Sequence, residues 1–340
     1  MAAAPQPQRM PHRQYRIQRK VAQIPIVAGG FGLQDLPRSY DYESLFFRLN
    51  ANLQVTVAAT AVRAEAPTQL VPRVEIVADG KNTLLSAPFW FLGLANVWRD
   101  VIFSGGRVTT PPSAVGVATY AVEAIGVHDF MTADGVRPKD SNFRTSALSM
   151  FQTRLTFGQA GDVFVGGTVN FTGVNQVNVF TAEIVELPAP DGSYATPIAL
   201  KKVSFFTQTF AASNANAEMR LPAGNLIKSV VLRTDGIVTA GEPGVGILNN
   251  AKLQSGVDVR LDYIGADLRA KNNADFGGTI LAGYYILDVT AKGTGKINLS
   301  DLWDVTGQAE PKVIVDETVG AASTTITAVV TEYILARASG

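Results

Sequence analysis

From residue 40 onward, apolar residues fall in short alternating or wholly apolar runs interrupted by Gly, Pro, Asn and Asp, the texture of β-strands separated by turns. In the first half this pattern predicts strands over Phe46–Val57, Arg73–Val77, Val117–Ile125, Phe151–Phe157, Asp162–Phe171 and Val177–Leu187. Asp79-Gly80, Gly105-Gly106, Pro111-Pro112 and Asp134-Gly135 punctuate them and supply the positive or fixed φ of tight turns. In the second half it predicts strands over Lys202–Phe210, Leu226–Arg233, Val257–Ile264, Thr279–Thr290, Lys312–Val319 and Thr324–Leu335. The clearest is VDVRLDYIG, where Val257, Val259, Leu261 and Tyr263 share one face and Asp258, Arg260 and Asp262 the other, as a half-buried strand requires. Helices are expected only at Phe89–Trp98 and at Leu299–Val305, where Ser300 stands as an N-cap.

The strand pattern breaks at LPAPDGSYATP, residues 187–197, and then begins again. A length of 340 residues suits two domains of ordinary size, and the chain divides into an N-terminal arm (1–39), a first sandwich (40–187), a linker (188–197) and a second sandwich (198–340). The halves end alike: FTAEIVEL at 180–187 and VVTEYILA at 329–336 each follow a strand, turn and strand, TRLTFGQAGDVFV and PKVIVDETVGAAS, a similarity that suggests duplication. With 46% hydrophobic and 17% charged residues, there is ample apolar surface for two cores. The aromatic cluster Phe89, Trp90, Phe91 and Trp98 belongs to them, since the apolar window Leu84–Trp98 is shorter than a membrane span of about 20 residues.

The candidate chemistry is sparse. The absence of cysteine removes disulfides, thiolate nucleophiles and Cys-ligated metals. Two histidines, His12 in the basic start and His128 beside Asp129, do not make the clustered imidazoles of a metal-dependent double-barrel (bicupin) enzyme; His128 reads as a locally hydrogen-bonded loop residue. There is no G-x-S-x-G, KGTGK at 292–296 lacks the first glycine of a phosphate loop, and GEPGVG at 241–246 does not fit G-x-G-x-x-G. Glu183 with Glu186, and Asp258 with Asp262, read as solvated carboxylates, the second pair balanced by Arg260. The reading is of a non-enzyme with no catalytic residue, no metal and no cofactor.

Charge changes the picture at one place only. Overall Lys plus Arg equals Asp plus Glu at 29 each, but Arg9, Arg13, Arg16, Arg19 and Lys20 precede the first acidic residue, Asp35. No apolar stretch of signal-peptide length follows them. Arg9, Arg13, Arg16 and Lys20 would form one stripe if residues 9–20 became helical on docking to anionic lipid or nucleic acid.

In its basic arm, two strand-rich halves, Pro-rich linker and missing catalytic set, the chain resembles the double jelly-roll major capsid proteins of tailless icosahedral viruses, the lineage of membrane-containing bacteriophages and adenoviruses. The likeness is carried by LFFRLNANLQVTV at 45–57, AGYYILDVT at 282–290 and PKVIVDETVGAASTTITAVVTEYI at 311–334. It implies an all-β fold of two tandem jelly-roll β-sandwiches and a homotrimer with a pseudo-hexagonal footprint, its strands upright in the shell. It further implies neighbouring capsomers and a vertex protein as partners, a virion location after assembly in the host cytoplasm, a bacterial host, and an arm facing an internal membrane or the packaged genome. The stretches Phe103–Ser113, Met131–Thr145, Thr234–Leu253 and Ala266–Gly278 would be loops for towers or subunit contacts. The alternative is a viral spike, fibre or carbohydrate-binding β-protein, which has less use for a basic arm.

Overall fold

The computed structural model describes residues 14–94, 107–112, 115–130, 142–186, 199–235, 243–276, 281–290, 301–308, 310–319 and 323–335. Eight strands build a first sandwich: β1 (Gln14–Pro25), β2 (Phe31–Asp35), β3 (Asp41–Val57), β5 (Arg73–Ala78), β6 (Asn82–Ala87), β8 (Thr119–Asp129), β9 (Phe151–Thr156) and β12 (Gln176–Glu186). Its sheets run β1-β12-β3-β8 and β2-β9-β5-β6. Short strands decorate it: β4 (Ala61–Val62), β7 (Arg107–Thr109), β10 (Phe164–Val165) and β11 (Thr168–Phe171).

The second sandwich repeats this order with β13 (Ala199–Phe210), β14 (Asn214–Arg220), β15 (Leu226–Thr234), β16 (Leu248–Ser255), β17 (Asp258–Ile264), β18 (Tyr284–Asp288), β20 (Lys312–Glu317) and β21 (Thr324–Leu335). Its sheets run β13-β21-β15-β18 and β14-β20-β16-β17. Each unit therefore places its first, eighth, third and sixth principal strands in one sheet and its second, seventh, fourth and fifth in the other, which is the jelly roll. The chain is two of them in tandem. The paired sequence endings occupy equivalent places, β12 and β21 as eighth strands and β9 and β20 as seventh.

Alternation explains the individual strands. In β3, Leu45, Phe47, Leu49, Ala51, Leu53 and Val55 point into the first core at every second position. A bulge opposite Ala182 and Glu183 resets the phase so that Tyr42 is also inside, its hydroxyl donating to the Pro37 carbonyl at 2.8 Å. Opposite them lie Val74, Ile76, Leu85, Phe151 and Leu155 of the facing sheet. The helix α1 (Phe89–Leu94) follows β6 and puts Phe89, Trp90, Phe91 and Leu92 inside, so the aromatic cluster is core; Trp98 lies outside the described residues. It can lie against β8 because that strand carries Gly126 at the crossing: a Cβ there would stand 2.9 Å from the Leu92 Cβ.

Where the sequence pattern is weak, the structure differs from it. The helix α2 (Gly265–Phe276) replaces most of the loop expected at Ala266–Gly278; it is anchored by the buried Asn272, whose side-chain amide donates to the Ile286 carbonyl and accepts from the Ile286 N–H. The helix expected at Leu299–Val305 is not formed over its described part: β19 (Trp303–Asp304) pairs with β15 instead, because Trp303 and Val305 fill the second core. The stretch Thr234–Leu253 contains the start of β16, and β7 lies within Phe103–Ser113. The linker 188–197 lies outside the described residues.

Phe47 is enclosed in the first core, whereas Phe31 on β2 faces solvent. Phe47→Ala is expected to lose about 3–5 kcal/mol in urea unfolding by cavity formation. Phe31→Ala should stay within about 0.5 kcal/mol of the parent chain.

Candidate functional site

The two rolls are joined at a sheet edge. β6 lies parallel to β13 through the pair Leu85 and Val203, fusing one sheet of each roll into a nine-stranded sheet ordered β18-β15-β21-β13-β6-β5-β9-β2, with β19 beside β15. Behind this seam Val203, Val231, Tyr284, Ile286 and Val329 of the second roll pack in the same core as Leu85, Phe89 and Trp90 of the first. The Trp90 and Tyr284 rings meet edge to face at 5.1 Å. β21 is consequently buried on both faces, Ile326, Ala328 and Val330 entering the second core while Val329 enters the first.

A buried polar cluster sits at the same seam. Arg233 at the end of β15 donates from Nε and Nη2 to the carboxylate of Glu65 at 2.5 and 2.9 Å, and from Nη1 to Asp235. The Tyr284 hydroxyl also donates to Glu65. Burial works to lower the Arg233 pKa, but the carboxylates of Glu65 and Asp235 outweigh it and hold the guanidinium charged. Lys201, buried in β13, donates to the backbone carbonyl of Asp129 at 3.1 Å, a second tie between rolls. Sequence reasoning missed this cluster: Glu65 and Arg233 stand 168 positions apart, and an Arg closing an apolar strand carries no signal of its partner. Beside the seam an open cleft of about 430 Å³ is lined by Arg63, Gln69, Trp90, Asp162 and Phe205 among others.

The basic segment is a strand, and this corrects both the helical stripe and the boundary drawn at residue 39. β1 pairs antiparallel along β12, from Gln14 opposite Glu186 to Pro25 opposite Gln176, and is the first strand of the first roll; β2 is its second. Period two places Arg16 and Lys20 on one face of the strand and Arg19 on the other, so no single cationic stripe forms. Arg16 pairs with Glu43, Arg19 makes a two-pronged contact with the buried carboxylate of Glu183 at 3.1 and 2.9 Å, and Lys20 donates to Gln23 at 2.8 Å. Arg9 and Arg13 lie outside the described residues.

Glu183 is therefore an internal anchor rather than a solvated carboxylate, and the second roll repeats it. The buried Glu332 of β21 pairs with Lys202 of β13 at 3.0 Å and accepts from Asn225 at 2.6 Å. In both rolls a glutamate of the eighth strand is neutralised by a cation of the first.

The remaining candidates fall as follows. His128 is buried on β8 with its ring edge-on to Phe130 at 4.7 Å, not in a loop. Asp258, Arg260 and Asp262 all lie exposed on β17. Among the described residues no three His, Asp or Glu side chains cluster as a metal site, and no helix is long and apolar enough to cross a membrane.

The architecture defines the double jelly-roll class, and comparison with solved structures finds the same fold. The major capsid protein of Sulfolobus turreted icosahedral virus matches with a TM-score of 0.71 at 15% identity, covering 95% of this chain and 97% of that one. VP54 of PBCV-1 matches at 0.65 and 12% identity over 98% of both chains. The major capsid protein P2 of bacteriophage PM2 matches at 0.59 and 13% identity, over 95% of this chain and 99% of that one. No family model and no curated protein matches by sequence.

Arg233→Met leaves Glu65 buried without its main countercharge and is expected to lower stability by about 3–5 kcal/mol. Combining it with Glu65→Leu should restore most of that loss, a coupling that a double-mutant cycle in urea measures directly.

Proposed function

We propose that this chain is the major capsid protein of a tailless icosahedral virus, a structural rather than catalytic protein that associates with copies of itself. The observation that carries the reading is the fusion of two topologically identical jelly rolls through one sheet, an arrangement shared over nearly the full length of capsid proteins from unrelated hosts. That coverage distinguishes it from a spike or carbohydrate-binding module, for which a single sandwich suffices. A Sulfolobus virus and a bacteriophage share the fold, so it is indifferent to the bacterial host expected from sequence.

In this reading the assembled unit is a homotrimer with a pseudo-hexagonal outline, its partners are neighbouring capsomers and a vertex protein, and its location is the virion shell, reached by assembly in the host cytoplasm. Support for the trimer is geometric: two similar rolls set edge to edge are one segment of a ring, and repetition of one contact closes it. The inner-face role falls to residues 1–13 with Arg9 and Arg13, since Arg16 and Arg19 are engaged by Glu43 and Glu183 within the first roll. Anionic lipid headgroups or packaged nucleic acid attract such cations to a similar degree.

Light scattering on the full-length chain should give a species near three times 36.2 kDa, or larger shells. A concentration-independent monomer overturns the proposal. Arg9→Glu with Arg13→Glu should keep that mass and lose cosedimentation with anionic vesicles or DNA at low salt; undiminished binding of both overturns the role of the arm.

A further inference from the structure

The two rolls share one topology, yet their equivalent edge strands meet different surroundings. β6, the fifth strand of the first roll, has Leu84, Leu85, Ser86 and Ala87 buried, with β13 alongside it at Leu85. β17, the fifth strand of the second roll, ends its sheet and contains no buried residue. It is nonetheless apolar: Val257, just ahead of it, is 93% exposed, Val259 49% and Ile264 59%. Val257 and Val259 lie on the face whose next members, Leu261 and Tyr263, pack against the second core. The apolar face thus runs on past the end of the roll's own core. The opposite edge shows the same contrast. β13, the first strand of the second roll, buries Ala199, Lys201 and Val203, whereas β1, the first strand of the first roll, ends its sheet with Tyr15 exposed.

We propose that β17 of one copy docks beside β1 of a second copy, in the parallel sense in which β6 docks beside β13 within one chain. The inference rests on the self-association proposed above and deepens it by naming the edges that meet. The internal junction consumes one fifth-strand edge and one first-strand edge, and the only principal strands left open in those two places are β17 and β1. Charge favours the match: Arg16, Arg19 and Lys20 on β1 stand without an acidic neighbour in the strand, while β17 and the start of α2 carry Asp258, Asp262 and Asp267 against Arg260. Because unlike edges meet, the contact is heterologous, and copies add head to tail until the ring closes. An exposed, apolar sheet edge is otherwise a site of uncontrolled pairing, which a designated partner edge prevents.

The chain contains no cysteine, so single introduced cysteines report the contact cleanly. Val257→Cys and Val259→Cys serve on β17. On β1, Arg16→Cys and Gln18→Cys serve; Gln18 faces Ala182 beside Glu183 as Val203 faces Thr331 beside Glu332. Under oxidation, disulfide-linked dimers are expected in a mixture of one β17 variant and one β1 variant, and not in either variant alone. Val259→Asp, at an exposed position that leaves folding intact by circular dichroism, should weaken association at least tenfold in light scattering. A trimer that survives Val259→Asp and forms no β17-to-β1 cross-link overturns the edge assignment and leaves the capsid reading standing. A parent chain that remains monomeric at every concentration overturns both.

Discussion

A β-sheet ends in a row of unpaired N–H and C=O groups, and the architecture of this chain follows from how one such edge is closed. Setting β13 beside β6 turns two sheets into one and brings the second roll's Tyr284, Ile286 and Val329 into the core of the first. Once that seam exists, β21 is covered on both faces, which is why its sequence, TTITAVVTEYIL, is nearly continuous in small and apolar residues instead of alternating. The ionic cluster of Glu65, Arg233, Asp235 and Tyr284 adds direction: a purely apolar seam tolerates sliding, whereas a two-pronged guanidinium–carboxylate contact accepts one alignment.

Elements whose side chains contact only their own core were legible in the sequence. β3, β5, β9, β15 and β21 fall where alternation or apolar runs put them, because each presents several large apolar residues to one sandwich. β14 and β16 were not. NANAEMR offers only Ala217 and Met219 to the core, and LNNAKLQS dilutes its apolar face with Asn, Lys and Gln. Polar strands of this kind are held by their neighbours in the sheet, information that a local pattern does not contain. The segment at residues 14–25 shows the same limit from the other side: spacings of three and four admit a helix, but the ladder with β12, more than a hundred positions away, decides for a strand.

The chemistry divides similarly. The shared Thr and Glu of the two closing segments were visible as a likeness, and the structure gives that likeness a physical content in the buried glutamates Glu183 and Glu332, each matched to a cation of the first strand. A buried carboxylate needs a countercharge, so a duplicated fold that keeps the glutamate must keep a cation within reach. The residue types need not match: Arg19 reaches Glu183 from two positions along β1, while Lys202 stands directly across from Glu332.

The pairing of β1 with β12 also bears on how the chain comes into being. Gln14 meets Glu186, so the first strand to leave the ribosome has its ladder partner among the last residues of the first roll. At elongation rates of about 5–20 residues per second, β1 waits on the order of ten seconds or more in an incomplete sheet. Contacts of such sequence separation fold slowly, and during the delay solubility rests on the strand's own composition. Arg16, Arg19 and Lys20 then act as gatekeepers, repelling the same segment on neighbouring nascent chains before they take up their roles in the finished roll.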